Sequence, residues 1–222
     1  MVNSLTKEQK TDRAQQIAAA ALTLFEQQSF SQLTMAAIAK QAGVSKGTLF
    51  NYYESKESLF MTLLLDGYHQ YFDDLTRRIE QCTTFTLADF LQLLLTETAN
   101  LITTHGLLVR LNALRGPILE QGANMAQTIS HRQALYASNE RLAQTIQTRV
   151  PTLTVAEISQ LLLVQSAMIS GMMNLAGLDE FNRQPLYDQD FEHFKVNLGP
   201  DTVTTFRYYL QGKYPTVVLT KE

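Results

Sequence analysis

Cysteine is almost absent: Cys82 is the single one in 222 residues. That excludes an internal disulfide and any cage of cysteines around zinc, and it suits a reducing, cytoplasmic setting. Helix breakers are also scarce. Five prolines and ten glycines leave long uninterrupted stretches, which favours helix. No uncharged apolar run approaches the roughly 20 residues of a membrane span. Residues 1–16 are polar and lack the apolar stretch of a signal peptide, so no membrane partner is expected. Enzyme signatures are missing as well: there is no Gly-rich phosphate loop, no Gly-x-Ser-x-Gly elbow and no His-Glu-x-x-His pair. His69, His105, His131 and His193 lack metal-ligand spacing, and Asp73 and Asp74, as helix neighbours, face different directions. Cys82 has no nearby histidine to activate it. Neither an enzyme nor a cofactor nor a metal is expected.

What is present is enough for a sizeable core, with 45% hydrophobic and 18% charged residues, which excludes disorder. The length suits one large or two small domains. The formal charge of −3 taken whole argues against a nucleic-acid partner. It is unevenly spread. Residues 1–58 carry Lys7, Lys10, Arg13, Lys40, Lys46 and Lys56 against Glu8, Asp12, Glu26, Glu54 and Glu57, a balance of +1 that leaves −4 on the remainder. This bias hints weakly at an anionic ligand, and on its own it fits a solvated face better.

The hydrophobic period is helical almost throughout. Ile17, Ala21, Leu24 and Phe25 form one stripe on a first helix over residues 11–28. Short helices follow over 35–42 and 46–52, then a long one over 56–81. Further helices are expected near 86–104, 107–115, 122–149, 155–177 and 202–211. They are punctuated by Gly106, Gly116-Pro117, Pro151, Gly177, Pro185 and Gly199-Pro200. Only residues 217–219 hint at a strand. The fold class is all-α.

The first 55 residues carry the most specific local signals. Thr34 is a good N-cap for the second helix, and Leu33 and Ile38 have the spacing of a hydrophobic staple. Ser45, with Val44 and Leu49, repeats the arrangement on the third helix. Between them Gly43 sits where a tight turn needs positive φ, and Ala39 is small enough for close helix approach. Two capped helices joined by a Gly turn make a helix-turn-helix, a pattern shared by DNA readers and by ordinary helical corners. The outward chemistry of the third helix separates the two. Ser45, Lys46, Thr48, Asn51 and Tyr52 offer short hydroxyls and an amide for base edges, and a lysine with backbone N–H groups for phosphates.

Residues 13–72 resemble the TetR family of transcriptional regulators. The most specific run is Thr34-Met-Ala-Ala-Ile-Ala-Lys-Gln-Ala-Gly-Val-Ser-Lys-Gly-Thr-Leu-Phe-Asn-Tyr-Tyr-Glu-Ser-Lys-Glu-Ser-Leu-Phe60. Many members carry tyrosine at the place of Phe50 and phenylalanine at that of Tyr53, so the contact of that missing hydroxyl is not carried over. The resemblance implies that Thr34 anchors a phosphate and that Lys46 and the backbone at Gly47 lie against DNA. It further implies that Thr48 and Asn51 face base edges, that Tyr52 bonds a phosphate, and that Lys56 clamps the backbone. Asn51 fits a bidentate pair with adenine, a phosphate contact or a solvated amide. Lys7, Lys10 and Arg13 fit either a basic arm or a frayed terminus.

The resemblance implies a DNA-binding domain over residues 1–55, and over 56–222 a larger helical domain for effector binding and dimerisation. Residues 155–177 are apolar on most of their circumference, with Ser166, Ser170 and Gly171 allowing close approach. Together with Phe206, Tyr209 and Leu210 they suit a homodimer through the last two long helices. For the effector, polar groups near expected interior faces are His105, Arg110, Asn112, Arg115, His131, Tyr136 and Asn139. His105, Arg110, His131 and Tyr136, with Met168 and Met172 as an adaptable apolar wall, are the candidate ligand residues. Taken singly, each fits a surface or satisfied core residue better than a ligand contact. The expected function is a repressor that binds a palindromic double-stranded operator and is released by a small molecule. The alternative is a DNA- or partner-binding regulator with no effector.

Overall fold

The structure, a computed structural model, describes residues 6–177 and 196–220. His193 and Pro185 lie outside the described residues. The elements are α1 (Lys7–Gln27), α2 (Met35–Gln41), α3 (Lys46–Tyr52), α4 (Lys56–Glu80), α5 (Leu87–Thr104), α6 (Gly106–Leu114), a π-helical turn (Arg115–Leu119), α7 (Glu120–Gly122), α8 (Met125–Arg149), α9 (Val155–Ala176) and α10 (Leu198–Lys213). Among the described residues there is no strand, as the helical period predicts. The tail at 217–219 is irregular. Its neighbour Thr220 is held by side chains instead, accepting from Arg207 at 2.6 Å and donating to Gln92 at 3.2 Å.

Three of the places where the elements differ from the sequence expectation have a clear local reason. Helix α1 starts four residues early because Thr6 and Gln9 form a capping box, each side chain accepting from the other's backbone N–H. Lys10 and Arg13 therefore stand on regular helix and belong neither to an arm nor to a frayed end. Helix α10 likewise begins at Leu198, with Pro200 in its first turn, where a missing N–H leaves no intrahelical bond unmade. At Gly116-Pro117 the chain does not break. It widens into a π turn, in which the Glu120 N–H donates five residues back to Arg115. The wider loop accommodates a proline that an α-helical turn rejects.

The described chain forms two compact units. The first is Met1–Leu64 with Leu114–Ser130, and the second is Leu65–Ala113 with His131–Glu222. In the first unit α2 packs on both α1 and α3. Ile17, Phe25, Leu33, Ile38, Leu49 and Phe60 are fully buried at its core. Phe60 packs with Phe25 at a 5.4 Å centroid distance and edge-on with Phe30 at 5.3 Å. At roughly 1.5–3 kcal/mol per buried large side chain, this aromatic knot and the aliphatic side chains around it supply the cohesion of the unit.

In the second unit α10 packs on α5 and α9, and α5 on α9. Helix α9 is long and apolar enough to span a membrane by length and composition, which exceeds the sequence expectation. It is nevertheless tied into the helical unit by a buried amide: Gln165 donates to the Leu94 carbonyl at 2.8 Å and to the Thr98 hydroxyl at 3.0 Å. Glu97 is buried too, accepting from Tyr71 at 2.8 Å and Asn100 at 3.2 Å, with Arg78 paired at 2.9 Å.

Candidate nucleic-acid interface

The turn between α2 and α3 has the geometry its sequence demands. Gly43 takes φ +63°, the left-handed region that favours glycine. Its N–H donates to Lys40 at 3.1 Å, and that of Val44 donates to Ala39 at 3.0 Å. These two bonds close α2 as a Schellman motif and aim the chain into α3. Thr34 accepts from the Ala37 N–H at 3.1 Å, and Ser45 accepts from the Thr48 N–H at 3.0 Å. Both helices therefore start on hydroxyl caps, as expected.

This arrangement gathers most of the residues singled out in the sequence. Thr34, Ser45, Lys46, Gly47 and Asn51 are exposed, while Thr48 and Tyr52 are half-buried beside the buried Leu49. Ser45 and Thr48 also share a hydrogen bond, 2.8 Å between their hydroxyl oxygens. A methyl group added at Gly47 would meet only the Ser45 hydroxyl, at 3.8 Å, so another molecule can approach the backbone closely there. Lys46 lies 5.7 Å from the ring centre of Phe50, which is itself 42% exposed. The surface offers a lysine, helix N-termini and short polar side chains, with no carboxylate among the residues named. Such a set suits phosphates around a groove-reading helix.

Lys56 stands apart from that set. Its ammonium donates to the carbonyls of Phe30 at 2.7 Å and Leu33 at 2.9 Å, and it sits 4.2 Å from the Phe30 ring centre. Burial lowers its pKa, against a smaller opposing effect of Glu57. The lysine thus ties the α1–α2 loop to the start of α4.

The far end of α3 is held by residues that the sequence did not reveal. Gln127 donates from Nε2 to the Tyr52 carbonyl at 2.8 Å and accepts from the Glu54 N–H at 3.3 Å. Asn124 donates to the Glu54 carboxylate at 2.6 Å, and Ser55 donates to the Gly122 carbonyl at 3.0 Å.

Two family descriptions match along the chain. That of "Bacterial regulatory proteins, tetR family" covers residues 17–63, and "Tetracyclin repressor-like, C-terminal domain" covers residues 65–214. The chain belongs to the TetR family. It is a DNA-binding transcription regulator with a helix-turn-helix, and the family is one of regulators rather than enzymes. No curated protein matches the chain at a significant level. Among solved structures, a TetR transcriptional regulator from Rhodococcus sp. RHA1 is similar at a TM-score of 0.53. Its identity is 17%, over 96% of this chain and 100% of that one. Thermus thermophilus FadR, a TetR-family repressor in complex with lauroyl-CoA, aligns at 0.53 and 19% identity over 94% and 96%. Bacillus subtilis FadR in complex with stearoyl-CoA aligns at 0.50 and 18% over 86% and 96%. At such identities the likeness concerns the fold.

In this TetR-family chain the candidate ligand residues do not converge on one described pocket. His105 packs edge-on against Tyr71 at 5.6 Å. With Arg77, Arg78 and Asn100 it lines a polar pocket of about 490 Å³. Arg110, Met168 and Met172 are half-buried on α6 and α9, and Tyr136 is 67% exposed on α8. His131 pairs with Asp66 at 2.5 Å, and that hydrogen bond raises its pKa; burial opposes the rise and the carboxylate charge adds to it. Three further polar residues have structural partners. Asn112 donates to Ser166 and Ser170, Arg115 pairs with Glu120, and Asn139 accepts from Ser159. The buried Glu97 was missed, although it is the lone charged residue of the leucine-rich, otherwise uncharged stretch 91–102, which is a signal for it. Burial, reinforced by Glu97, pushes the Tyr71 phenol well above its ordinary range.

Proposed function

We propose that the chain is a cytoplasmic repressor that binds a palindromic operator as a homodimer and is released by a small molecule. Residues 1–55 read the DNA, and residues 56–222 carry the effector and dimer functions. The observation that carries the reading is the capped, open surface at the start of α3. There Lys46 and the backbone at Gly47 face a phosphate strand, while Thr48 and Asn51 reach base edges. Thr34, Ser45 and Tyr52 add phosphate contacts around it. Lys56 contributes by fixing the loop that precedes Thr34, since two of its three N–H groups are spent on backbone carbonyls.

Dimerisation is supported by the uncovered side of α9. Ala156, Gln160, Leu163, Ala167, Gly171 and Asn174 are exposed at spacings of three and four residues, and no charge lies among them. Leu163 is 59% exposed, and on α10 Tyr208 is 68% exposed. Added methyl groups at Gly171 and Gly212 would meet nothing within 4 Å among the described residues. A second copy laid on this face buries the uncharged stripe and supplies the two-fold symmetry of a palindromic site.

The deciding experiment is footprinting on DNA flanking its own gene, repeated with candidate metabolites. Acyl-CoA thioesters belong among them because two FadR structures of the same fold hold such ligands. A protected palindrome that is released by one metabolite supports the whole reading. Protection that no metabolite relieves favours a regulator without an effector. No protected palindrome overturns operator binding.

A further inference from the structure

Residues 114–130 belong to the compact unit of the helix-turn-helix, although the chain on either side of them belongs to the other unit. Within the first unit they meet the C-terminal end of α3. A helix leaves its last carbonyls without intrahelical partners, and each must find a donor or water. The Tyr52 carbonyl finds Gln127. The same side-chain amide accepts from the Glu54 N–H, so one planar group spans both sides of Tyr53 as a neighbouring strand would.

The Asn124 side chain does two separable things. Its Oδ1 accepts from the Gln127 N–H at 3.1 Å, which caps the start of α8 and orients Gln127. Its Nδ2 donates to Glu54 at 2.6 Å. Its own N–H donates to the buried Ser58 hydroxyl at 2.9 Å. Gly122 completes the contact: a Cβ there would lie 2.6 Å from Glu57 Cγ, so any other residue would displace the Glu57 side chain at the start of α4.

We propose that Asn124 and Gln127 are positioning residues for the recognition helix. They hold the end of α3 that carries Asn51 and Tyr52, and thereby set the register in which α3 meets base edges. The inference rests on the reading of α3 as the DNA-contacting helix.

The test is a substitution cycle on the full chain. Asn124→Asp keeps the acceptor that caps α8 but places a carboxylate against Glu54. Glu54→Gln then restores a donor–acceptor pair with the roles exchanged. The first readout is the ratio of affinity for a duplex selected in vitro by the wild-type chain to that for scrambled duplex. The ratio cancels the sequence-independent electrostatic part. Asn124→Asp lowers it about threefold to tenfold, Glu54→Gln alone leaves it nearly unchanged, and the double variant recovers it. The second readout is hydrogen exchange in the free protein. The amides of residues 51–54 exchange faster in Asn124→Asp and recover in the double variant, while those of α1 do not change.

An unchanged ratio in Asn124→Asp, or a loss that the double variant keeps, overturns the positioning role. A fall in operator and scrambled binding alike points to general destabilisation and overturns it too. A wild-type chain that selects no duplex overturns the underlying DNA reading, and is told apart by failing before any variant is made.

Discussion

The Lys56 ammonium donates to the Phe30 carbonyl at 2.7 Å while lying 4.2 Å from the centre of the Phe30 ring. A lysine that bonds the backbone and covers the aromatic ring of one residue is part of the fold. The same side chain in a motif of basic and polar residues is expected from sequence to clamp a phosphate, and in the fold two of its three N–H groups are directed at the Phe30 and Leu33 carbonyls.

Lys46 and Lys56 should therefore respond differently to removal. Lys46→Ala lowers affinity for all duplexes alike and reduces the slope of log affinity against log salt by about one unit, with little change in stability. Lys56→Met keeps much of the stem over Phe30 but removes both donations. It costs about 1–2 kcal/mol of unfolding free energy and leaves the salt slope near that of the wild type. Denaturant unfolding and binding titrations at several salt concentrations check both. A slope change for Lys56→Met equal to that for Lys46→Ala would show that Lys56 contacts phosphate after all.

The parts legible in the sequence were those governed by nearest neighbours. The caps Thr34 and Ser45, the positive φ of Gly43 and the bounds of α3 depend on residues at most five apart, so each is written locally. Pro117 misled because a Gly-Pro pair commonly ends a helix, whereas here a wider turn absorbs it. The grip of Gln127 on Tyr52 spans 75 residues and involves one exposed-looking amide on a polar stretch of helix. No periodicity marks such a pair, because its cause is the tertiary placement of a helix end.

Glu97 and Tyr71 form a buried pair whose cost lies in leaving one partner alone. Glu97→Leu strands the Tyr71 hydroxyl and should destabilise by about 1–3 kcal/mol, and Tyr71→Phe by about 1 kcal/mol. The double variant should cost clearly less than the two together, since Arg78 is half-exposed and can turn to water. Chemical denaturation of the four proteins measures the coupling. Strict additivity would mean that the pair contributes nothing specific.

Leu163 tests the proposed dimer face. Leu163→Arg puts a charge in the middle of the uncovered stripe of α9 without touching the buried side that holds Gln165. The variant should sediment as a folded monomer at micromolar concentration and retain wild-type helicity. Losing the second reading head removes the gain of bivalent binding, on the order of a hundredfold in affinity for a palindrome. Binding to an isolated half-site should be nearly unchanged. A variant that remains dimeric would move the interface away from α9.

His131 gives a pH signature with a defined sign. Its hydrogen bond to Asp66 raises its folded-state pKa above the ordinary 6.5, so the folded state binds the proton more tightly than the unfolded one. The resulting stability is fully present below the unfolded pKa. It is lost as pH rises from 6.5 through the folded value. Comparing wild type with His131→Gln by denaturant unfolding from pH 5.5 to 8.5 should show the largest gap at the acidic end, narrowing steadily towards the alkaline end. A gap that is constant across that range would mean that the pair is held by packing and neutral hydrogen bonding, with no preferential uptake of the proton.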